Sequence, residues 1–217
     1  MYGDRGTTIA WGGVDAFGEN EASANGGAVA FVSHVSLDLG AVGATFSLTG
    51  NVVDISGGAV FQSGVRYGLT WKGVKFTPNC AMNGGAMYSA ATAIVVESST
   101  ELLTVYINCI FRDNTAAASG GAVESAAGKD TFLYTTFHGA NAGAVGGGLR
   151  LARTTTLTSC NFVGNGANAA GPAVANVGTI AVANSSFTNN CLLCTPGAFL
   201  NYTIQASNVD KVPTCRY

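Results

Sequence analysis

The triplet Gly-Gly-Ala recurs at Gly26-Gly27-Ala28, Gly57-Gly58-Ala59, Gly84-Gly85-Ala86 and Gly120-Gly121-Ala122, then in altered form at Gly146-Gly147-Gly148, Gly171-Pro172-Ala173 and Pro196-Gly197-Ala198. An internal period of this kind restricts the chain to repeat architectures, in which each unit buries its apolar face against its neighbours. Ahead of each triplet stands an apolar anchor, followed three positions later by Asn: Phe17 and Asn20, Leu48 and Asn51, Phe76 and Asn79, Phe111 and Asn114, Phe162 and Asn165, Phe187 and Asn190. Phe137 has Ala140 instead. From anchor to second triplet residue the distance is 10 in six copies and 9 in the third. Successive anchors are 31, 28, 35, 26, 25 and 25 residues apart, so the unit is 25 residues with insertions in the first half.

Columns read down the aligned units give the local structure. The residue after each triplet is apolar in every copy (Val29, Val60, Met87, Val123, Leu149, Val174, Phe199), and the next is mixed (Ala30, Phe61, Tyr88, Glu124, Arg150, Ala175, Leu200). Apolar then variable is the pattern of a strand with one buried face. The third column (Phe31, Gln62, Ser89, Ser125, Leu151, Asn176, Asn201) is inward by parity, its polar members expected to stack as hydrogen-bonded ladders. Two before the anchors lies a small column (Val74, Cys109, Thr135, Cys160, Ser185), and five before them an apolar one (Trp71, Tyr106, Phe132, Leu157, Val182). Three apolar columns predict three short strands per unit. No apolar stripe keeps a 3.6-residue period, which argues against helix.

A unit of this size without a helix cannot make a βαβ crossover, so the copies must wind. The expected fold is an all-β, right-handed parallel β-helix of about seven coils, with residues 1–16 an entry or partial coil, 17–204 the repeats, and 205–217 a cap or link to a Cys-rich region. The glycines suit sharp corners, and the Asn side chains are expected to stack there and bond corner amides.

Thirty glycines without a Gly-X-Y period exclude collagen, and 47% hydrophobic with 10% charged residues excludes a disordered chain. A net charge of -2 with ten scattered Lys and Arg supplies no basic stripe for nucleic acid. Apolar runs are broken by Gly before they reach membrane-spanning length. No secretory signal opens the numbering, and the crowding of Cys191, Cys194 and Cys215 near the end suggests an extracellular segment cut from a longer chain. Asn184-Ser185-Ser186 and Asn201-Tyr202-Thr203 match the glycosylation sequon. Cys109 and Cys160 share a column two coils apart, too far to bridge, and are expected to be buried small residues; Cys80 and Cys191 share another column four coils apart. A disulfide of Cys191 or Cys194 with Cys215 is the expected terminal staple.

The pairing of Gly-Gly-Ala-Val with Phe-x-x-Asn across residues 17–200 resembles the chlamydial polymorphic outer membrane protein family, and similar repeats are found in surface proteins of algae and other protists. The resemblance departs at Ala140, Pro172 and Pro196, and the chain carries no translocator barrel. It implies a β-helical region displayed on a cell surface and acting in adhesion, with cell-surface glycans or a protein receptor as partners.

Parallel β-helices are also similar to pectate lyases, whose chemistry needs a cluster of acids with Arg, Lys or calcium on one outward face. The nearest group is Glu124, Arg150 and Arg153, of which the first two should form an exposed cross-strand ion pair. Arg112 with Asp113 and Lys129 with Asp130 read as solvated loop charges. His34 and His138 have no repeat-related partner, and no metal site or cofactor is expected. Phe61 and Tyr88 could stack against sugar rings, unless an insertion after Leu103 or within 63–75 covers them. The expected function is thus a non-catalytic structural or adhesive segment; the alternatives are a glycan-binding module using Phe61 and Tyr88, a polysaccharide lyase or hydrolase, and a rod that self-associates end to end through open strand edges.

Overall fold

The computed structural model describes residues 2–3, 7–10, 14–32, 35–38, 45–63, 69–90, 103–126, 128–192, 199–201 and 204–207. Every described strand pairs in parallel with its counterpart in the next unit, and none of the described elements is a helix. The chain is a parallel β-helix. One coil illustrates it: Val123–Ser125 lies in sheet I, Lys129–Leu133 in sheet II, Thr136–His138 in sheet III and Asn141–Ala142 in sheet IV, after which Gly146 begins the next turn. The sheets hold eight, six, seven and seven strands, and a separate two-stranded sheet pairs Thr7–Ala10 with Val35–Asp38.

Each coil therefore has four strands rather than the three expected. The fourth, in sheet IV, is as short as the two residues Asn141–Ala142 or Gly166–Ala167, too short and too rich in small residues to show a hydrophobic alternation. The copy that is one residue short between anchor and triplet shows this directly. Cys80 and Ala81 pair with Thr115 and Ala116, but Asn83 pairs with Ser119, so the missing residue is absorbed as a register shift in sheet IV.

Three of the four corners turn on a single left-handed residue. They are the first triplet glycine (Gly84, φ 59°, for example), the residue two after the anchor (Asp113, φ 54°; Gly139, φ 64°) and the residue three before it (Asn108, φ 53°; Ser159, φ 53°). The second triplet glycine answers a different constraint, the spacing between coils. A Cβ at Gly85 would lie 2.2 Å from the carbonyl oxygen of Gly121 in the next coil, so only hydrogen fits. The insertions of the second and third units fall between sheets I and II, and that of the first unit between Asp38 and Thr45.

All the columns assigned inward are buried where described. The anchor phenylalanines Phe76, Phe111, Phe137, Phe162 and Phe187 form a continuous stack with ring centroids 4.5 to 5.0 Å apart. Trp71, Tyr106 and Phe132 meet that stack edge-on from sheet II. Beside it runs the asparagine ladder. Asn79 donates from Nδ2 to the Leu48 carbonyl of the preceding coil and to Asn114 Oδ1 of the following one, while its own Oδ1 accepts from Asn51 Nδ2 and the Asn51 backbone N–H. This pattern ties Phe-x-x-Asn together: the carbonyls of Phe76, Phe137 and Phe162 each receive the Asn of the next coil. Ala140 interrupts the ladder between Asn114 and Asn165.

At the ends, Tyr2–Gly3 pairs with Ala30–Phe31, and Ile204–Ser207 pairs with Ile180–Ala183. Winding thus includes part of the 1–16 segment and extends through Ser207. Residues 208–217, where the remainder of the cap was expected, lie outside the described residues.

Candidate functional site

The outward column of sheet I brings four of the predicted residues into one file. Phe61, Tyr88, Glu124 and Arg150 occupy consecutive rungs in register. The two rings are parallel within 3° at a centroid distance of 5.9 Å, and both are partly exposed. Residues after Leu103 continue a strand to Ile107, so no insertion follows it; the segments 64–68 and 91–102 lie outside the described residues.

Glu124 departs from expectation. It is only 5% exposed, and its Oε1 is paired with Arg150 Nη1, whose side chain is a third exposed. The pair is a largely covered one, because Glu124 stands against the corner at Gly120, between the larger side chains of Tyr88 and Arg150. Burial raises the Glu124 carboxyl above its ordinary range, opposed by the Arg150 charge and hydrogen bond. Its Oε2 is buried with no hydrogen-bond partner in the protein. Burial also raises the Tyr88 phenol, with the Glu124 charge adding to the effect. Arg153 stands exposed in the 152–154 corner after its strand.

The other predicted positions resolve differently. Lys129 and Asp130 are strand residues, and alternation points Lys129 outward while Asp130 is 2% exposed. Its carboxyl bonds Ser125 and is pushed by burial up to about 7. Asp130 lies two residues before Phe132, so the inward column already carried this signal. It sits in a polar seam where sheets I and II meet, with Thr104 and Thr155 on adjacent rungs and Gln62 bonded to Ser89 and Thr104. Arg112 and Asp113 are exposed as expected, but His138 does have a carboxylate neighbour. Its Nδ1 is 3.8 Å from Asp113 Oδ1, because Asp113 lies over Gly139, which has no Cβ to hold it off. His34 lies outside the described residues.

Cys109 and Cys160 are buried free thiols, and the structure assigns them a use that sequence reasoning missed. Cys109 Sγ donates to the Trp71 carbonyl and Cys160 Sγ to that of Phe132, as Thr135 and Ser185 hydroxyls donate to corner carbonyls in the same column. Burial pushes the two thiols up to about 12 and about 11. Cys80 is exposed and free, and the column from Cys80 through Thr115, Asn141 and Gly166 to Cys191 is as expected. Cys191 is not a free thiol; Cys194 and Cys215 lie outside the described residues. Asn184 is exposed at a left-handed corner, and the Asn201 side chain lies outside the described set. Among the described residues no three His, Cys, Asp or Glu side chains come together as a metal site, and no helix is long and apolar enough to cross a membrane. No family model, curated protein or solved structure matches the chain.

Proposed function

We propose that this chain is a non-catalytic adhesive segment of a larger extracellular surface protein, a β-helical rod that presents a contact face to a glycan or protein receptor. The observation that carries the reading is the outward file Phe61, Tyr88, Glu124 and Arg150, in which two aromatic rings and an ion pair occupy four consecutive rungs. Aromatic rings and a charge-assisted pair offer the chemistry of recognition, stacking together with directional hydrogen bonds. The resemblance of the paired motifs to surface adhesins supports the same reading. Outside the cell, Cys191 or Cys194 would join Cys215 in a terminal staple, and Asn184, exposed at its corner, would be open to glycosylation.

The test is a binding screen of the chain against immobilised polysaccharides and intact cell surfaces, with released sugars assayed in the same wells. Binding without product is the expected result. Product whose formation is abolished by Glu124→Ala would replace adhesion with catalysis, and the absence of all binding would leave a structural or self-associating rod.

A further inference from the structure

In a complete rung of the asparagine ladder the carboxamide makes four hydrogen bonds. Asn79 donates to the Leu48 carbonyl and to Asn114 Oδ1, while its own Oδ1 accepts from the Asn51 backbone N–H and from Asn51 Nδ2. At Ala140 the four matching groups are still present, but the side chain that would join them ends at Cβ. Two of the groups are donors. The Asn114 backbone N–H meets no acceptor among the described residues, and Asn114 Nδ2 spends one hydrogen on the Phe76 carbonyl and has a second to give. The other two are acceptors. The Phe111 carbonyl receives no Asn side chain, whereas the equivalent Leu48 oxygen takes Asn79 Nδ2 as well as the Thr77 N–H. Asn165 Oδ1 accepts from the Ala140 N–H and keeps a lone pair that a carboxamide at 140 would have used.

None of these groups reaches bulk solvent, since Phe111, Asn114 and Ala140 are 0% exposed and Asn165 is 1% exposed. Neither flanking Asn can swing in to fill the space. Asn114 is held through its oxygen by Asn79 and through its nitrogen by Phe76, and Asn165 is held by the Phe137 carbonyl and Asn190. The coils have not drawn together either. The Asn141 N–H meets the Asn114 carbonyl at 2.9 Å, as the Thr115 N–H meets that of Asn79, and the step from Phe111 to Phe137, 5.0 Å, is the widest in the anchor stack. Two buried donors and two buried acceptors around the space of a missing carboxamide match the bonding capacity of one water molecule. We infer that the rung at Ala140 is a binding site for a single internal water, which accepts from Asn114 N–H and Nδ2–H and donates to the Phe111 carbonyl and Asn165 Oδ1. An anion could not donate to the two oxygens, and a metal cation could not accept from the two N–H groups. A dry space would leave all four polar groups unpaired in the interior. With the water in place the ladder runs unbroken from Asn20 to Asn190.

The experiment is water–amide cross-relaxation on the whole chain labelled with nitrogen-15. The Asn114 amide should show Overhauser effects to water of opposite sign in the laboratory and rotating frames, the mark of a long-lived bound molecule, whereas proton exchange gives the same sign in both. The Asn79 amide, bonded to Asn114 Oδ1, should show none. Ala140→Asn supplies the carboxamide and should erase the Asn114 signal while raising the thermal midpoint. Ala140→Leu has the same branching without polar atoms, and should erase the signal while lowering the midpoint. A crystal structure should place one solvent peak within hydrogen-bonding distance of all four groups. No effect at Asn114 in the native chain, an effect undiminished in a folded Ala140→Asn variant, or Ala140→Leu melting as high as Ala140→Asn overturns the inference.

Discussion

Asp130 shows how far one inward position can depart from its neighbours in the same column, which hold Thr104, Thr155, Ile180 and Leu69. Its carboxyl is raised from 3.8 to about 7, chiefly by burial. The folded state thus holds a proton that the unfolded chain releases near pH 4. Stability from this group is fully present below about pH 4, falls as pH rises to about 7, and is level above that, a loss of up to about 4 kcal/mol. Thermal melts from pH 4 to 8 should show a declining midpoint in the native chain and a flatter profile in Asp130→Asn; equal slopes in the two would refute the assignment. Tyr106, packed on the adjacent rung and raised well above 10, stays neutral throughout this window. The thiols give a second test at this scale. Cys80 should be alkylated rapidly in the native protein, whereas Cys109 and Cys160 should react only on unfolding, as mass mapping of labelled peptides would show.

At the scale of the element, the asparagine ladder and the phenylalanine stack act as two parallel rails. Asn79→Ala would remove the side-chain bonds to Leu48, Asn51 and Asn114 and strand buried partners, an expected loss of about 3 kcal/mol in denaturant unfolding. Ala140→Asn would join the two ladder segments and is expected to stabilise by about 1 kcal/mol, a gain that should vanish when Asn165 is replaced by Ala. Gly85→Ala would drive a methyl into backbone oxygens of the next coil and should abolish cooperative folding of that region, detectable by amide exchange. These rails were legible because each repeats the same residue type at the same offset. The fourth strand was not, since two residues such as Gly166 and Ala167 carry no alternation. The corners were legible only where Gly or Asn occupies them; Tyr134 and Glu19, also left-handed, gave no warning.

For the molecule as a whole, winding converts positions 25 or more residues apart into neighbours about 4.8 Å apart. The file from Phe61 to Arg150 was readable for that reason, since equal column positions must stack. What could not be read was coverage: the burial of Glu124 depends on how Tyr88 and Arg150 lie over it, and the approach of Asp113 to His138 depends on a missing Cβ at Gly139. The proposed contact face is tied to register, because a slip of one residue would turn the file inward and scatter its members. The most direct test places spin labels on outward positions of sheet III, at Lys75 with Asn161 and at Lys75 with Ser186, in a Cys80→Ser background. These pairs lie three and four rungs apart. In-register coils predict label separations that grow by about 4.8 Å from the first pair to the second, near 14 and 19 Å. Equal separations, or distances far beyond the few rungs that divide the labels, would contradict the stacked parallel β-helix and the contact file that depends on it.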